Sequence, residues 1–285
     1  MSTPYKRLNK DDAVVLLVDH QTGLISLVQD FQPNEFKNNV LALADVAKFF
    51  KLPTILTTSF ESGPNGPMVP ELKELFPDAP YIPRPGQINA WDNEDFVKAV
   101  KATGRKQLII AGVVTDVCVT FPTLSALAEG FEVFVVTDAS GTFNETVQQA
   151  SWARMTAAGA QLVNWFSVAC ELQVDWRNDM EGLANLLSPR IPNYRNLMNS
   201  YSALTAKYGC GAVFLCQRRC IPGISPREYI RSYTVASGLG VCSAAALLRL
   251  INASPISAIR ATAMAPAAMA NSITWCPPLP LKTTE

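Results

Sequence analysis

Apolar runs alternate with amphipathic stretches over the first two thirds of the chain. Six runs predict strands, and the first of them, Ala13–Val18 (AVVLLV), is apolar at every position, which is typical of a strand covered by helices on both faces. Regular alternation of strands and helices predicts a three-layer α/β/α fold built on a doubly wound, six-stranded parallel sheet. The other five predicted strands are Pro53–Ser59, Tyr81–Arg84, Gln107–Val113, Glu132–Asp138 and Gln161–Trp165.

Helical spacing and helix-end signals predict the elements between these strands. A helix over Glu35–Lys51 follows the first strand, and a loop rich in Gly and Pro is predicted between the second and third strands. Three further helices have candidate N-caps and terminating glycines: Asp92 or Asn93 to Gly104, Thr115 to Gly130, and Asn144 to Gly159.

The composition changes near residue 208. Residues 208–285 contain seven Lys and Arg, two acidic residues and five of the seven Cys. A second domain, a metal or disulfide module, and an extension without stable structure of its own are the three interpretations. The spacing of Cys210, Cys216 and Cys220 is not CxxC and the segment has no His, which disfavours the module. We therefore predict a folded domain over 1–207 and a C-terminal extension over 208–285.

Composition also excludes several classes of function. The formal net charge is zero, so we expect neither nucleic acid nor a membrane surface as a partner. The first residues lack an apolar segment after their basic side chains, and Ser232–Leu248 is uncharged but diluted by small polar residues. The expectation is a cytoplasmic protein.

The chain has one histidine, His20, so few His-based metal sites and few catalytic triads are possible. Phosphate-binding motifs are missing too, because Gly63–Pro67 (GPNGP) is not followed by Lys and Ser or Thr, and no GxGxxG follows a strand. The sequence therefore predicts neither a metal nor a cofactor.

Cys118 lies where the fourth predicted strand passes into a helix. The first turn of a helix offers free N–H groups and the positive end of the macrodipole, which favour a thiolate. A thiolate is the reactive form of a nucleophilic cysteine. The alternative interpretation is a small buried apolar residue, which we keep for Cys170 within a helical pattern.

Two charged residues end other predicted strands. Asp19 follows the apolar run of the first strand, and an acid that burial keeps partly out of water has a raised pKa suited to general acid–base chemistry. Arg84 ends the third strand, where a permanent cation could stabilise a thiolate or anchor a substrate carboxylate. His20 is a poor catalytic candidate, because neighbouring strand residues point to opposite faces.

Three segments together resemble a known family. LLVDHQTGL with Asp19, RPGQINAW with Arg84 and IIAGVVTDVCV with Cys118 are similar to isochorismatase-like cysteine hydrolases, and more closely to the YcaC-type branch, over residues 1–207. The resemblance implies a sheet of order 3-2-1-4-5-6 and a catalytic triad of Asp19, Arg84 and Cys118, with Arg84 where the family has Lys. It also implies a cis peptide at Val113–Val114 and an oxyanion hole formed by the N–H groups of Val114 and Cys118.

The resemblance further implies hydrolysis of a small amide or related C–N bond through a Cys118 thioester, by a homo-oligomer that acts on a small molecule. Gln21, Asn89 and Trp91 are candidate substrate-binding residues. Two other functions stay open: a catalytically weak oligomeric scaffold or binding protein, which the Arg at the Lys position favours, and a redox sensor that uses Cys118. The single histidine argues against the metal-dependent nicotinamidase branch.

Overall fold

The computed structural model describes residues 5–218. The chain divides between Met198 and Asn199 into two units. The first unit contains the whole sheet and every predicted site residue. Of the second unit, the structure describes the part of one helix that reaches Arg218.

Strands and helices alternate through the first unit as the apolar pattern predicts. The six strands are β1 Ala13–Val18, β2 Thr54–Ser59, β3 Tyr81–Arg84, β4 Gln107–Gly112, β5 Glu132–Val136 and β6 Gln161–Val163. The helices are α1 Thr22–Ile25, α2 Pro33–Phe49, α3 Pro70–Leu75, α4 Glu94–Ala102, α5 Thr120–Ala128, α6 Glu145–Ala158, α7 Trp165–Gln173, α8 Met180–Leu187 and α9 Pro192–Arg218.

The six strands form one parallel sheet of order β3-β2-β1-β4-β5-β6, which confirms the predicted fold and strand order. The chain therefore reverses its direction of winding between the neighbours β1 and β4, the place where open α/β sheets bind ligands. At the end of this pair, Val18 lies opposite Gly112. A Cβ atom on Gly112 would come within 2.4 Å of the Val18 carbonyl oxygen, so the close approach of β4 to β1 requires glycine.

Two apolar cores cover the two faces of the sheet. Side chains of β1 alternate between them: Val15 and Leu17 belong to the core beneath α2, α7 and α8, whereas Val14, Leu16 and Val18 belong to the core beneath α4, α5 and α6. All six residues of β1 are buried, because helices cover both faces. This explains why the run is apolar throughout and does not alternate with polar residues.

The structure differs from the prediction in its shorter elements. The loop predicted before β3 contains α3, a short helix that begins with Pro70 and whose apolar side is limited to one buried residue, Leu72. Where cap signals are strong the helix limits agree: Asn93 accepts a hydrogen bond from the Phe96 N–H at the start of α4, and Gly159 ends α6 with a φ of 108°.

Helix α9 continues without a break across residues 207 and 208. Most of the predicted extension, and all of the possible membrane segment at 232–248, lie outside the described residues 5–218. The absence of stable structure in the extension and the domain boundary at 207 both stay predictions. Within the described residues, no helix is both long enough and apolar enough to cross a membrane.

Candidate active site

Three of the predicted residues lie at the carboxyl edge of the sheet. Asp19 directly follows β1, Arg84 is the last residue of β3, and Cys118 lies six residues beyond the end of β4. Asp19 has a φ of +58°, an uncommon conformation that Asp tolerates better than most residues with a side chain.

Asp19 and Arg84 form a buried ion pair. The Nη2 atom of Arg84 donates a hydrogen bond to Oδ1 of Asp19, and both side chains are fully shielded from solvent. The second carboxylate oxygen, Oδ2, is buried and has no hydrogen-bond partner among the described residues that meets the usual geometric limits. One oxygen of Asp19 is thus held by the cation, and the other is available to a neighbouring group.

The Arg84 guanidinium is also fixed on its other sides. Its Nε donates to Oγ1 of Thr57 at 3.0 Å, and Nη1 donates to the backbone carbonyls of Gln87 and Ile88, the latter at 3.2 Å. The Thr57 hydroxyl in turn donates to the Ile82 carbonyl at 2.8 Å, so it presents a lone pair to Arg84. These contacts fix the orientation of the cation.

Cys118 is located in a π turn that spans Thr115–Val119 and precedes α5. The predicted N-cap at Thr115 is wrong: Val114 occupies the cap position, and no side chain caps the turn. The Thr115 hydroxyl is buried and has no hydrogen-bond partner among residues 5–218. The Val119 N–H donates to the Val114 carbonyl five residues earlier at 3.3 Å, as in a π turn, and the Thr120 hydroxyl donates to the Thr115 carbonyl at 2.7 Å. Cys118 is therefore the fourth residue of this turn and 8% exposed.

The Cys118 thiol and the Asp19 carboxyl interact. Burial raises the pKa of Cys118 above its ordinary range, and the charge of Asp19 and a hydrogen bond with it raise that pKa further. Smaller opposing effects come from a hydrogen bond with the Val114 backbone and from the charge of Arg84. The expectation that the helix start favours a thiolate is therefore not met, because the two largest effects, burial and the charge of Asp19, both favour the protonated thiol.

Asp19 behaves as the sequence predicts. Burial raises the pKa of its carboxyl above the ordinary value, while the charge of Arg84 and hydrogen bonds with Arg84 and Cys118 oppose the rise. The two interacting acids therefore lie next to each other beside one cation. A proton can move from sulfur to carboxylate there without changing the net charge of the three groups.

The segment before Cys118 brings one backbone N–H group, that of Val114, to the thiol. The peptide bond between Val113 and Val114 is cis. The hydrogen bond between the Val114 backbone and the Cys118 side chain places this N–H group next to the sulfur. The use of the Val114 and Cys118 N–H groups as an oxyanion hole stays a prediction.

The His20 side chain contacts other residues than Asp19, Arg84 and Cys118. It is fully buried, its Nε2 lies 3.0 Å from the Ala139 carbonyl oxygen, and its ring stacks against Phe36. Burial lowers the pKa of His20 to about 4, so the ring is neutral near pH 7.

Gln21, Asn89 and Trp91 are each bound to neighbouring parts of the chain. The Gln21 amide nitrogen donates to the carbonyls of Ser59 at 3.0 Å and Gly66 at 2.5 Å. Asn89 accepts the Trp91 N–H at 3.0 Å and donates to Ser125 at 3.1 Å. The Trp91 indole donates to Glu129 at 2.8 Å and packs edge-on against Phe96 and Phe131. Contact of the three with substrate stays a prediction.

Sequence reasoning did not find Thr57 or the carbonyls of Gln87 and Ile88, which hold Arg84. Thr57 lies in strand β2, whose last three residues, Thr57, Thr58 and Ser59, all have hydroxyl groups. Hydroxyl residues inside a fully buried strand need internal partners, and this was the available signal.

The chain matches the isochorismatase domain family over residues 13–166. Together with this fold and site, the match shows that it is a member of the isochorismatase family of hydrolases.

Two bacterial relatives are similar to this chain over nearly all of their own length. The probable hydrolase YcaC of Escherichia coli K12 is 73% identical over 72% of this chain and 99% of its own length. Its crystal structure, described as an octameric hydrolase of unknown specificity, superposes with a TM-score of 0.70. YcaC from Pseudomonas aeruginosa, solved with hexane-2,5-diol and covalent acrylamide, is 76% identical over 70% of this chain and all of its own, with a TM-score of 0.70.

Proposed function

We propose that this protein hydrolyses a small amide or a related C–N bond through a thioester on Cys118. The observation that carries the proposal is the buried Asp19 carboxyl, which is paired with Arg84 through one oxygen and interacts with the Cys118 thiol. A cysteine that is protonated at rest needs a base to become a nucleophile. A carboxylate that lies next to the thiol and is shielded from bulk water can accept its proton.

The reaction would proceed in two halves. Asp19 accepts the Cys118 proton as sulfur bonds to the carbonyl carbon, and the N–H groups of Val114 and Cys118 stabilise the oxyanion. Asp19 then gives this proton to the departing nitrogen, the C–N bond breaks and the thioester remains. Water attacks the thioester with Asp19 as base, and the carbon–sulfur bond breaks to give a carboxylic acid and the free thiol.

Arg84 would act as a fixed cation in this scheme. A guanidinium does not exchange protons near neutral pH, so the Arg at the position of the family Lys stabilises charge and orients Asp19. Gln21 and Asn89 would support the site through the loops that they bind, and Trp91 through its packing in the core that also contains Cys118. Contact of all three with the substrate remains part of this proposal.

Similarity to the two relatives supports a reactive nucleophile and an assembly of identical subunits. The Pseudomonas protein was solved with covalent acrylamide, and we assign the corresponding reactivity in this chain to Cys118. The Escherichia coli protein is octameric, and we propose that this chain also forms a homo-oligomer. Mass photometry that detects only monomers would exclude the oligomer.

The test of hydrolysis is turnover of a panel of small amides, ureas and carbamoyl compounds, with mass spectrometry of acid-quenched protein. We expect at least one compound to give product and a mass increase on the peptide that contains Cys118. Cys118→Ala should abolish both, whereas Cys170→Ala, at the half-buried second cysteine of the described chain, should leave them unchanged. Turnover that survives Cys118→Ala refutes the mechanism.

One observation favours a second candidate, a scaffold or binding protein with little catalysis. The raised pKa of Cys118 leaves the resting thiol protonated, as in a buried, unreactive cysteine. The same observation counts against a redox sensor, which needs an accessible thiolate. Failure to trap any acyl group on Cys118, in a protein that still assembles, would favour the scaffold.

A further inference from the structure

We infer that the site selects an uncharged substrate and excludes carboxylates. This inference rests on the proposed function and deepens it by naming the substrate class as neutral amides. Sequence alone left two roles for Arg84, the anchoring of a substrate carboxylate and the stabilisation of groups within the protein. The hydrogen bonds of the guanidinium decide between them.

Arg84 has no free edge for a carboxylate. A carboxylate is recognised by two parallel N–H groups of a guanidinium, and Arg84 has five N–H groups in total. Four hydrogen bonds use four of them: Nε to Thr57, Nη1 to Gln87 and Ile88, and Nη2 to Asp19. The one N–H left on Nη2 cannot form the two parallel hydrogen bonds by which a guanidinium recognises a carboxylate. With 1% of its surface exposed, the side chain is enclosed by these partners and its positive charge is already matched by Asp19.

The charges around the nucleophile are balanced without substrate. Asp19 and Arg84 are the charged groups of the described chain that affect the Cys118 thiol. The net charge of Asp19, Arg84 and the Cys118 thiol is zero before the proton moves from sulfur to carboxylate, and it is still zero afterwards. An anionic substrate would add a buried charge without a partner, which is strongly unfavourable. A neutral amide adds none.

Two apolar side chains are exposed in the segments next to Arg84. Ile88 accepts a hydrogen bond from Arg84 through its carbonyl, and its side chain is 63% exposed. Phe60 donates its backbone N–H to the Arg84 carbonyl at 3.0 Å and is 48% exposed. Neither segment offers a cation to guide an anion. The same balance favours departure of the product, because hydrolysis converts a neutral amide into a carboxylate.

The experiment compares two alkylating reagents of nearly the same shape. Iodoacetamide is neutral and iodoacetate is an anion, so their rate ratio at one thiol reports the charge preference of its surroundings. We would measure both rates at Cys118 of the full chain by peptide mass spectrometry at one pH. The half-buried Cys170 and the neutral thiol 2-mercaptoethanol serve as references.

We expect the preference of Cys118 for iodoacetamide to exceed that of both references by more than about tenfold, because the anion meets a buried site without a free cation. Asp19→Asn removes the carboxylate and leaves Arg84 unpaired, so it should reduce the preference toward that of the references. A preference at Cys118 equal to that of 2-mercaptoethanol overturns the inference, and so does a Cys118 that neither reagent labels.

The result is independent of turnover. A strong preference for the neutral reagent, together with no acyl group trapped from any amide, would refute hydrolysis and support selection of neutral molecules. Trapping of an acyl group from amides that carry a carboxylate beside the carbonyl, at rates equal to those of neutral analogues, would refute the selection and support hydrolysis.

Discussion

Replacing Arg84 by Met tests the buried ion pair that organises the site. Asp19 is fully buried, and its Oδ2 already lacks a hydrogen-bond partner in the described chain. Arg84→Met would remove the donor to Oδ1 and the only cation paired with this carboxylate in the described chain. Breaking a buried ion pair from one side costs about 3–5 kcal/mol of unfolding free energy.

The penalty should depend on the partner and on pH. Because the cost comes from an unpaired carboxylate, Asp19→Asn in the same chain should recover much of it, and a double-mutant cycle should give a coupling of about 3 kcal/mol. The loss should be larger at pH 8 than at pH 5. Removal of Arg84 takes away an effect that lowers the pKa of Asp19, so its carboxyl takes up a proton and loses the penalty as the pH falls.

Urea unfolding followed by tryptophan fluorescence, at one protein concentration, measures these free energies. The exposed pair of Lys37 and Glu71, 2.5 Å apart, provides the control, and the cycle Lys37→Met with Glu71→Gln should give a coupling below about 1 kcal/mol. A coupling between Asp19 and Arg84 as small as that of the surface pair would refute the reasoning.

Three further predictions concern the supports of the site and the fold. Thr57→Val should cost about 1–3 kcal/mol in urea unfolding, because it leaves the Nε donor of Arg84 without an acceptor, and Thr57→Ser should recover most of the loss; equal stability of the Val and Ser variants would contradict this. Gly112→Ala should cost about 3 kcal/mol, since its Cβ would meet the Val18 carbonyl oxygen at 2.4 Å, and a neutral result would show that β1 and β4 can separate freely. Burial raises the pKa of Asp138 to about 6, so its ionised form opposes folding above that pH. Asp138→Asn keeps an acceptor for the Trp165 backbone N–H and should therefore stabilise the protein by about 2 kcal/mol at pH 8. The gain in unfolding free energy should shrink as the pH falls through 6. A gain that is the same at pH 8 and pH 4 would exclude burial of the Asp138 charge as its cause.

Strand β1 could be predicted from sequence because burial on both of its faces leaves a signature in each residue. Every position of β1 is apolar for this reason, and the acid that follows it therefore stands out as functional. The order of the strands has no such signature: the apolar runs of β1 and β4 resemble those of the other strands, and only the family resemblance supplied their pairing.

Prediction failed where geometry depends on residues distant in sequence. A Thr before a helix is usually a cap, but at Thr115 the chain makes a π turn in which Val114 takes the cap position. The thiol was expected to be acidic from the helix start alone, whereas its burial and the nearby Asp19 carboxyl come from other parts of the chain. Helix α3 is too short to show apolar periodicity.

The titration of Cys118 by iodoacetamide, in the native protein and in Asp19→Asn, tests most directly whether these two groups share a crevice and a proton. The charge of Asp19 and its hydrogen bond both raise the pKa of Cys118, so the account predicts an apparent pKa above that of a free thiol in the native protein and a lower one in the variant. Identical titration curves in the two proteins would contradict it.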